Sequence, residues 1–588
     1  MNLIRVLKYM SKKEAGFSLM CFAFLVCQTW LEITLPDYMS TITNTIETEG
    51  ATLSEVIKPG LMMLLCALGS LICSIIVGFF AAKVAAGLSM RLREAVYDKV
   101  MSFSMEEIGR FSTPSLITRS TNDITQVMML ISALLKAVIR VPVLATWAIA
   151  KIAGKGWQWS TVTAVAVAVM VSLVIILLLI TKPKYFRVQT LTDDMNRVTR
   201  ENLSGIRVVH AYNAEDYQKK KFEKVNDDLT STNLFTQRVM AFLTPGITLV
   251  MSLLTLAIYW VGMYIINAAA ITDKLPLFSD MVVFYSYAMQ IVMAFLILAV
   301  MMLLLPRSMV STKRIVEVLS VSPSLLDGDI TGHDQQEKGS IEFKNVSFTY
   351  PGAVNPILEN ISFVAKPGET VAVIGSTGSG KTTLINLIPR FYDVTSGEIL
   401  VDGINVKEYK QSALRAKLGY VSQKSVLFSG TVKSNVVFGE NPRPGMDEVV
   451  RDAVRVAQAD EFVERMEGMY DAKIAQGGTN VSGGQRQRLS IARAICRNPE
   501  IYIFDDSFSA LDYKTDRVLR RALKEKTGDA TIMIVAQRIG TIKDADQILV
   551  LDKGRVVGTG RHEELLKSCE VYREIAESQL SKEELGYA

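Results

Sequence analysis

The sequence has 588 residues, of which 49% are hydrophobic, and its formal net charge at neutral pH is +5. This apolar content is too high for an ordinary soluble protein of this size, and the chain is too long for a single domain. The small net charge gives no electrostatic support for nucleic-acid binding, so we expect no nucleic-acid partner.

The first part of the chain is predicted to lie in a membrane. A transmembrane helix needs about 20 mostly apolar residues to cross a hydrocarbon core about 30 Å thick, and six stretches meet this requirement. They are 16–36, 60–82, 127–150, 157–181, 240–270 and 281–306. We therefore predict an α-helical, six-span transmembrane domain over residues 1–320, with long helical extensions into the cytoplasm.

The distribution of lysine and arginine predicts how the spans are oriented. These residues concentrate in the segments 83–126 and 182–239, whereas acidic residues outnumber basic ones in the loop 37–59. Basic residues next to spans favour the cytoplasmic side. We expect a multi-pass protein of the plasma or inner membrane, surrounded by lipid, whose N terminus and everything after the sixth span are cytoplasmic.

Three ionisable residues, Glu32, Lys136 and Arg140, lie inside predicted spans. Charge within a bilayer is unfavourable, so such residues are candidates for a functional site. The alternatives are that Glu32 lies near the outer interface and that the two basic side chains face a wet cavity or extend to the interface. Methionine is also frequent in the spans, which suits either an adaptable binding surface or plain packing.

A second domain is predicted over residues 341–588, after a linker at 321–340, because the pattern changes to strands, turns and amphipathic helices. The apolar run Thr370–Ile374 predicts a buried strand, and a complete P-loop motif follows it. Backbone N–H groups of such a loop surround phosphate oxygens, and the next helix begins with positive potential. We expect Lys381 to reach the β- and γ-phosphates of ATP and the Thr382 hydroxyl to ligate Mg²⁺. The predicted ATP-binding residues here are Gly375, Ser376, Thr377, Gly378, Ser379, Gly380, Lys381, Thr382 and Thr383.

Another apolar strand, predicted at Ile501–Phe504, ends in two consecutive acids, Asp505 and Asp506. The first acid is placed to hold Mg²⁺, as in other P-loop enzymes. These motifs together predict an α/β P-loop domain that hydrolyses nucleoside triphosphates, without specifying its family.

The segment Val481–Arg488, which reads VSGGQRQR, narrows the class. It resembles the signature motif of the ABC transporter family, whose commonest form begins with Leu. A serine hydroxyl and glycine amides at the start of a helix form a second phosphate-binding surface. The resemblance implies that this surface closes on the ATP held by the other subunit of a dimer. The residues assigned to it are Ser482, Gly483, Gly484 and Gln485.

The rest of the family pattern follows in order. Tyr350 resembles the aromatic residue that stacks on adenine, and Gln423 resembles the glutamine that joins Mg²⁺ to the contact with the membrane domain. Ser509–Asp512 resembles the loop that links the two ATP sites. Six spans ahead of the ATP-binding domain imply the exporter type, in which His210–Glu215 and part of Phe103–Ser115 would be the coupling segments.

This chain departs from the family pattern at positions that bear on hydrolysis. Asp506 stands where the family normally has a catalytic Glu, and Gln537 stands where it normally has a His that contacts the γ-phosphate. Gln537 follows the predicted strand Ile532–Ala536, and none of the three histidines, His210, His333 and His562, lies near that strand. A third departure is Gln476–Gly478, in place of a Gly-Glu-x-Gly segment. One interpretation is that a site with Asp506 and Gln537 still hydrolyses ATP adequately. The other, which we favour, is that this site binds ATP and hydrolyses it slowly.

The resemblance implies an ATP-driven exporter that works by alternating access, with ATP and Mg²⁺ as cofactors. We expect one half of a heterodimer whose partner supplies the usual Glu and His, and an amphiphilic small molecule of the multidrug type as substrate. The alternatives are a homodimeric lipid flippase or peptide exporter, and a nucleotide-gated channel or sensor.

Overall fold

The structure is a computed structural model that describes residues 2–46, 52–153, 156–332, 338–439 and 445–581. Parts of the predicted loop 37–59 (47–51), of the linker (333–337) and of the last domain (440–444 and 582–588) lie outside the described residues. The chain divides into two compact units: Met1–Met101 with Thr113–Val321, and Ser102–Ser112 with Ser322–Ala588.

The first unit is helical. The helices up to its end, in chain order, are α1 (Asn2–Leu7), α2 (Lys12–Ile46), α3 (Leu53–Met101), α4 (Met105–Phe111), α5 (Thr113–Ser120), α6 (Asn122–Ala133), α7 (Arg140–Ile152), α8 (Trp157–Ser204), α9 (Ile206–Ala211), α10 (Glu215–Ala241), α11 (Leu243–Ala268) and α12 (Lys274–Ser320). Of these, α4 belongs to the second unit. A π-helical turn, Leu134–Val138, separates α6 from α7.

Within the described residues, six helical stretches are long and apolar enough to cross a membrane, which confirms the six predicted spans. They are Lys12–Ile46, Leu53–Met101, Thr113–Ile152, Trp157–Ser204, Glu215–Ala268 and Lys274–Leu298. At about 1.5 Å per residue the 49 residues of α3 extend over about 74 Å, more than twice the thickness of a hydrocarbon core. Within the most apolar 18-residue stretch of α3, only 17% of the residues are buried. The apolar surface of this helix is therefore available to lipid.

Aromatic side chains fill the core of the first unit. Trp159 and Phe284 are fully buried, with ring centroids 5.7 Å apart. The indole N–H of Trp159 donates to the carbonyl of Ile258, and the Tyr287 hydroxyl donates to the carbonyl of Ile33. These bonds satisfy the polar groups of buried aromatic rings, and they fix α8 to α11 and α12 to α2.

The second unit is an α/β domain, as predicted. Its strands are β1 (Ile341–Phe348), β2 (Leu358–Ala365), β3 (Thr370–Gly375), β4 (Ser396–Val401), β5 (Ile404–Asn405), β6 (Leu418–Val421), β7 (Gly430–Thr431), β8 (Lys473–Ile474), β9 (Ile501–Asp505), β10 (Thr531–Val535), β11 (Gln547–Asp552) and β12 (Arg555–Gly560). Its remaining helices are α13 (Lys381–Leu387), α14 (Gln411–Ala416), α15 (Val432–Val436), α16 (Met446–Val456), α17 (Asp460–Arg465), α18 (Gly483–Arg497), α19 (Tyr513–Lys526), α20 (Ile539–Ile542), α21 (His562–Ser568) and α22 (Glu570–Glu577).

A six-stranded sheet in the order β12-β11-β3-β10-β9-β6 forms the centre of this unit. Its strands run parallel except β12, which pairs antiparallel at the edge. A separate antiparallel sheet has the order β2-β1-β4-β5. Every residue of β9 and β10 is buried, as is usual for a parallel sheet covered on both faces.

Candidate nucleotide-binding site

The residues predicted to bind the phosphates and Mg²⁺ meet at one edge of the parallel sheet. The neighbouring strands β3, β10, β9 and β6 all end there, because parallel strands place their carboxyl ends at the same edge. The P-loop follows β3, Gln537 follows β10, Asp505 ends β9, and Gln423 follows β6. Ligands of open α/β sheets bind at this edge.

The P-loop requires glycine at positions where a side chain would not fit. A Cβ at Gly375 would lie 2.0 Å from the carbonyl oxygen of Leu551, and one at Gly380 would lie 2.7 Å from a methyl of Leu358. Gly378 and Gly380 also have φ of 84° and 100°, which L-residues rarely adopt. The loop therefore turns closely enough for its backbone to surround phosphate oxygens. Ser376 and Thr377 are exposed on it.

Two side chains of the P-loop have hydrogen-bonding capacity suited to phosphate. The Lys381 ammonium donates to the carbonyls of Gly375 and Ser376, both at 2.8 Å, so it is held at the loop. Burial lowers the pKa of Lys381, and the nearby Asp506 and Asp505 carboxylates oppose that shift. The buried Ser379 hydroxyl has no hydrogen-bond partner among the described residues, which leaves a donor available.

Thr382 and Asp505 place two oxygen atoms side by side. The Thr382 hydroxyl donates to Asp505 Oδ1 at 3.0 Å, and the Asp505 side chain is buried at the end of β9. Burial raises the pKa of Asp505, and the Asp506 carboxylate adds to this shift. Hydroxyl and carboxylate oxygens are ligands that suit Mg²⁺, which keeps several waters and binds one or two protein oxygens. The residues present fit that ion.

Asp506, the first departure from the family pattern, is held by amide groups. Its Oδ2 accepts a hydrogen bond of 2.9 Å from Gln537 Nε2 and a longer one of 3.5 Å from Gln423 Nε2. Its backbone has φ of 46° and donates to the carbonyl of Val535 at 2.9 Å. Burial raises the pKa of Asp506. The two unusual residues, Asp506 and Gln537, therefore bond directly to each other.

Gln579 was not found from the sequence, because it lies near the end of the chain and belongs to no motif. Its amide Nε2 donates to the backbone carbonyl of Gln537 at 2.9 Å, and its Oε1 accepts from the N–H of Ile539 at 2.9 Å. Gln579 thus fixes the backbone on both sides of Arg538 and, with it, the position of the Gln537 side chain.

Tyr350 is fixed by other aromatic rings and by α13. Its hydroxyl shares a hydrogen bond of 3.0 Å with the Thr383 hydroxyl. Its ring meets Phe348 and Tyr392 edge to face, with centroids 4.9 and 5.3 Å away. Tyr350 and Thr383 each belong to a predicted site, but their pairing and the contact with Tyr392 do not follow from the sequence. Such rings present a rigid surface on which a planar base can stack.

The signature residues form the N terminus of α18. Ser482 caps the helix: its hydroxyl accepts from the N–H of Gln485 at 3.3 Å, and its N–H donates to Gln485 Oε1 at 2.9 Å. Ser482 and Gly483 are exposed, and Gly484 is half-buried. In the described part of the chain, no hydrogen bond joins these residues to the P-loop. Their surface is free to meet a second molecule.

The segment Ser102–Ser112 belongs to the same unit as the ATP-binding domain. The buried Glu107 carboxylate accepts from the N–H groups of Ser104 at 2.7 Å and Ser324 at 2.8 Å. Burial favours a raised pKa for Glu107, but these hydrogen bonds outweigh it and lower the pKa. The segment is thereby bonded to the residues that follow α12. The further departure Gln476–Gly478 is a short 3₁₀ turn in which Gly477 donates to the carbonyl of Leu427 at 3.0 Å.

Comparison with known proteins agrees with this architecture. Residues 18–295 match the model of the ABC transporter transmembrane region, and residues 358–509 match the ABC transporter model. An uncharacterised ABC transporter ATP-binding protein of Mycobacterium tuberculosis is 38% identical, over 92% of this chain and 93% of the relative. An ATP-dependent lipid A-core flippase of Pseudomonas aeruginosa is 31% identical, over 86% of this chain and 82% of the relative.

A solved structure described as a bacterial Atm1-family ABC exporter with ATP bound has a TM-score of 0.77 and 23% identity. It covers 96% of this chain and 98% of its own, and it supports the fold across both units. The predicted exporter architecture and the predicted ATPase class are confirmed. The chain therefore belongs to the ABC transporter family and is a multi-pass membrane protein of the exporter type.

Proposed function

We propose that this chain is one half of a heterodimeric exporter that moves amphiphilic small molecules out of the cell, and that its own ATP site binds ATP but hydrolyses it slowly. The Asp506–Gln537 hydrogen bond supports this proposal. A carboxylate that is one methylene shorter than Glu and already bonded at 2.9 Å is poorly placed to align an attacking water. Gln537 also lacks the basic nitrogen that a His would supply.

Binding of ATP is supported by the other residues of the site. The P-loop glycines, Lys381 and the aromatic surface of Tyr350 provide for the triphosphate and the base. Thr382 and Asp505, with Gln423, would hold Mg²⁺, which neutralises charge that develops on the phosphates when it is bound. We infer that the altered residues slow the reaction more than they weaken the complex.

The assembly follows from the signature. ABC exporters act as dimers, and by resemblance to the family motif the Ser482–Gln485 surface would meet the ATP of the partner subunit. This surface is intact here, so it can serve a partner that has the usual Glu and His. A homodimer would have two sites of the altered kind. We therefore favour a heterodimer in which the partner's site hydrolyses ATP and resets the pump.

The spans support an amphiphilic substrate. Methionine and aromatic side chains offer adaptable apolar surface, and the few charges inside the spans are Glu32, Lys136 and Arg140. By the positive-inside rule the ATP-binding domain faces the cytoplasm, and ATP binding would open the cavity outward by alternating access. A second candidate is lipid flipping, which relatives named lipid A-core flippases favour at 31–32% identity.

Steady-state ATP hydrolysis by this chain alone, purified in lipid nanodiscs, tests the proposal. We expect retained ATP binding with negligible turnover. Robust turnover that Lys381→Ala abolishes would establish a competent homodimer and refute the heterodimer. Substrate class is tested separately, by ATP-dependent uptake of a fluorescent amphiphile into inside-out vesicles that contain the chain and its partner.

A further inference from the structure

Glu32, the acid among the three ionisable residues inside the predicted spans, is paired and hydrogen-bonded. Glu32 Oε2 forms an ion pair with Arg140 Nη2 at 2.5 Å. Its other oxygen, Oε1, accepts hydrogen bonds from Gln28 Nε2 at 2.9 Å and from the Ser70 hydroxyl at 3.0 Å. One acid and one base thus neutralise each other between α2 and α7, and both oxygens of Glu32 already have partners.

Of the three ionisable residues inside the predicted spans, Lys136 is the one that lies outside this ion pair. It is exposed in the chain, and among the described residues it forms no ion pair or hydrogen bond. Glu32, Arg140 and Lys136 together therefore have a net charge of +1 within the spans. An uncompensated cation at this depth is unfavourable against lipid, so its ammonium group requires water or a counter-ion.

The local backbone places Lys136 among the spans. It lies in the π-helical turn Leu134–Val138, a feature that in helices often marks a functional site. This turn packs against α2, α3 and α12 as well as against its own helix. Because Arg140 lies about one turn further on, Lys136 shares the face from which Arg140 reaches α2. Arg140 Nε is buried and has no hydrogen-bond partner in the described part of the chain, so a second donor is available on this face.

We propose that Lys136 binds the anionic group of the transported amphiphile, a carboxylate, sulfate or phosphate whose apolar body lies against the surrounding spans. This inference rests on the proposed function and specifies its substrate class. The ammonium group and this anion form an ion pair in which donor and acceptor are both charged, which a neutral amphiphile cannot form. The bound anion compensates the net charge of +1.

Photolabelling in nanodiscs without ATP tests this inference. The probes are a fatty acid with a diazirine on its alkyl chain and the methyl ester of the same compound, and the labelled peptides are identified by mass spectrometry. We expect the acid to label peptides of the third span about 10-fold more than the ester. Lys136→Gln should abolish that preference and Lys136→Arg should keep it. Lys182→Gln, which removes an exposed lysine of α8, is the matched control and should keep it too.

Equal labelling by acid and ester in the wild type, or a preference that persists in Lys136→Gln, would overturn the inference and leave amphiphile export standing. The absence of third-span labelling by either probe would also overturn it, and the vesicle uptake assay then decides the proposed function separately. Competition by added phosphatidylglycerol would identify a bilayer lipid as the anion's source, and competition by free fatty acid alone would identify a dissolved amphiphile. Either source satisfies the inference.

Discussion

Restoring the usual residues at the altered site should restore hydrolysis. In the double variant Asp506→Glu/Gln537→His, the carboxylate extends about 1 Å further from the backbone and loses the Gln537 amide donor that holds it at 2.9 Å. A shift of this size changes rates by about 100-fold when it decides the alignment of the attacking water. A hydrogen bond to a charged group contributes about 1.5–3 kcal/mol. Removing it should therefore raise the hydrolysis rate by a further factor of about 10 or more, because the carboxylate no longer has to break that bond before it contacts the attacking water.

We therefore expect the double variant alone to hydrolyse ATP about 1,000-fold faster than the wild type, measured as phosphate release in nanodiscs. Gln537→Ala is the matched control: it frees Asp506 without lengthening it and should give a smaller rise. Adding Lys381→Ala to the double variant should return turnover to background. If the wild type already matches the double variant, the Asp506–Gln537 bond does not limit hydrolysis and the reasoning fails.

Three further predictions concern binding and stability. Tyr350→Ala should weaken ATP binding about 10-fold, because it removes the stacking surface. Tyr350→Phe removes only the hydrogen bond to Thr383 and should weaken ATP binding less. Titration with a fluorescent ATP analogue measures both effects. Gly380→Ala should lower the free energy of unfolding by about 1–3 kcal/mol, since φ is 100° and the added Cβ meets Leu358 at 2.7 Å, and an unchanged melting temperature would contradict this. Asp505→Asn should raise the melting temperature at neutral pH. Burial raises the pKa of Asp505 in the folded state, so the wild type loses stability as pH rises through that pKa, whereas the neutral Asn variant does not. The difference in melting temperature between the two proteins should therefore vanish in acid.

The sequence predicts the parts of the site whose geometry is local. The P-loop glycines are consecutive with β3 and α13, so a short string specifies both the turn and its surroundings. The meeting of the P-loop, Asp505 and Gln537 also follows from sequence, because each comes directly after a buried apolar run and parallel strands end at one edge.

Pairings between distant residues could not be predicted in this way. Glu32 and Arg140 are 108 residues apart, and each alone could have been an interfacial or a cavity residue. Their pairing changes the interpretation of Lys136, because it uses the acid that would otherwise have neutralised it. Gln579 gives no motif signal at all, since an amide that bonds to a backbone carbonyl needs only to be in reach.

The residues of the ATP site that bind the nucleotide follow the family pattern, whereas those that would hydrolyse it do not. This contrast favours a site that binds ATP without hydrolysing it efficiently. The steric conditions on Gly375 and Gly380 are strict, and this chain meets them. The altered side chains, Asp506 and Gln537, instead bond to each other, which adds to the longer hydrogen bond from Gln423 in satisfying a buried carboxylate. We infer that ATP bound here stabilises the closed dimer through successive turnovers at the partner's site, since tight binding without hydrolysis shifts the equilibrium toward the closed state.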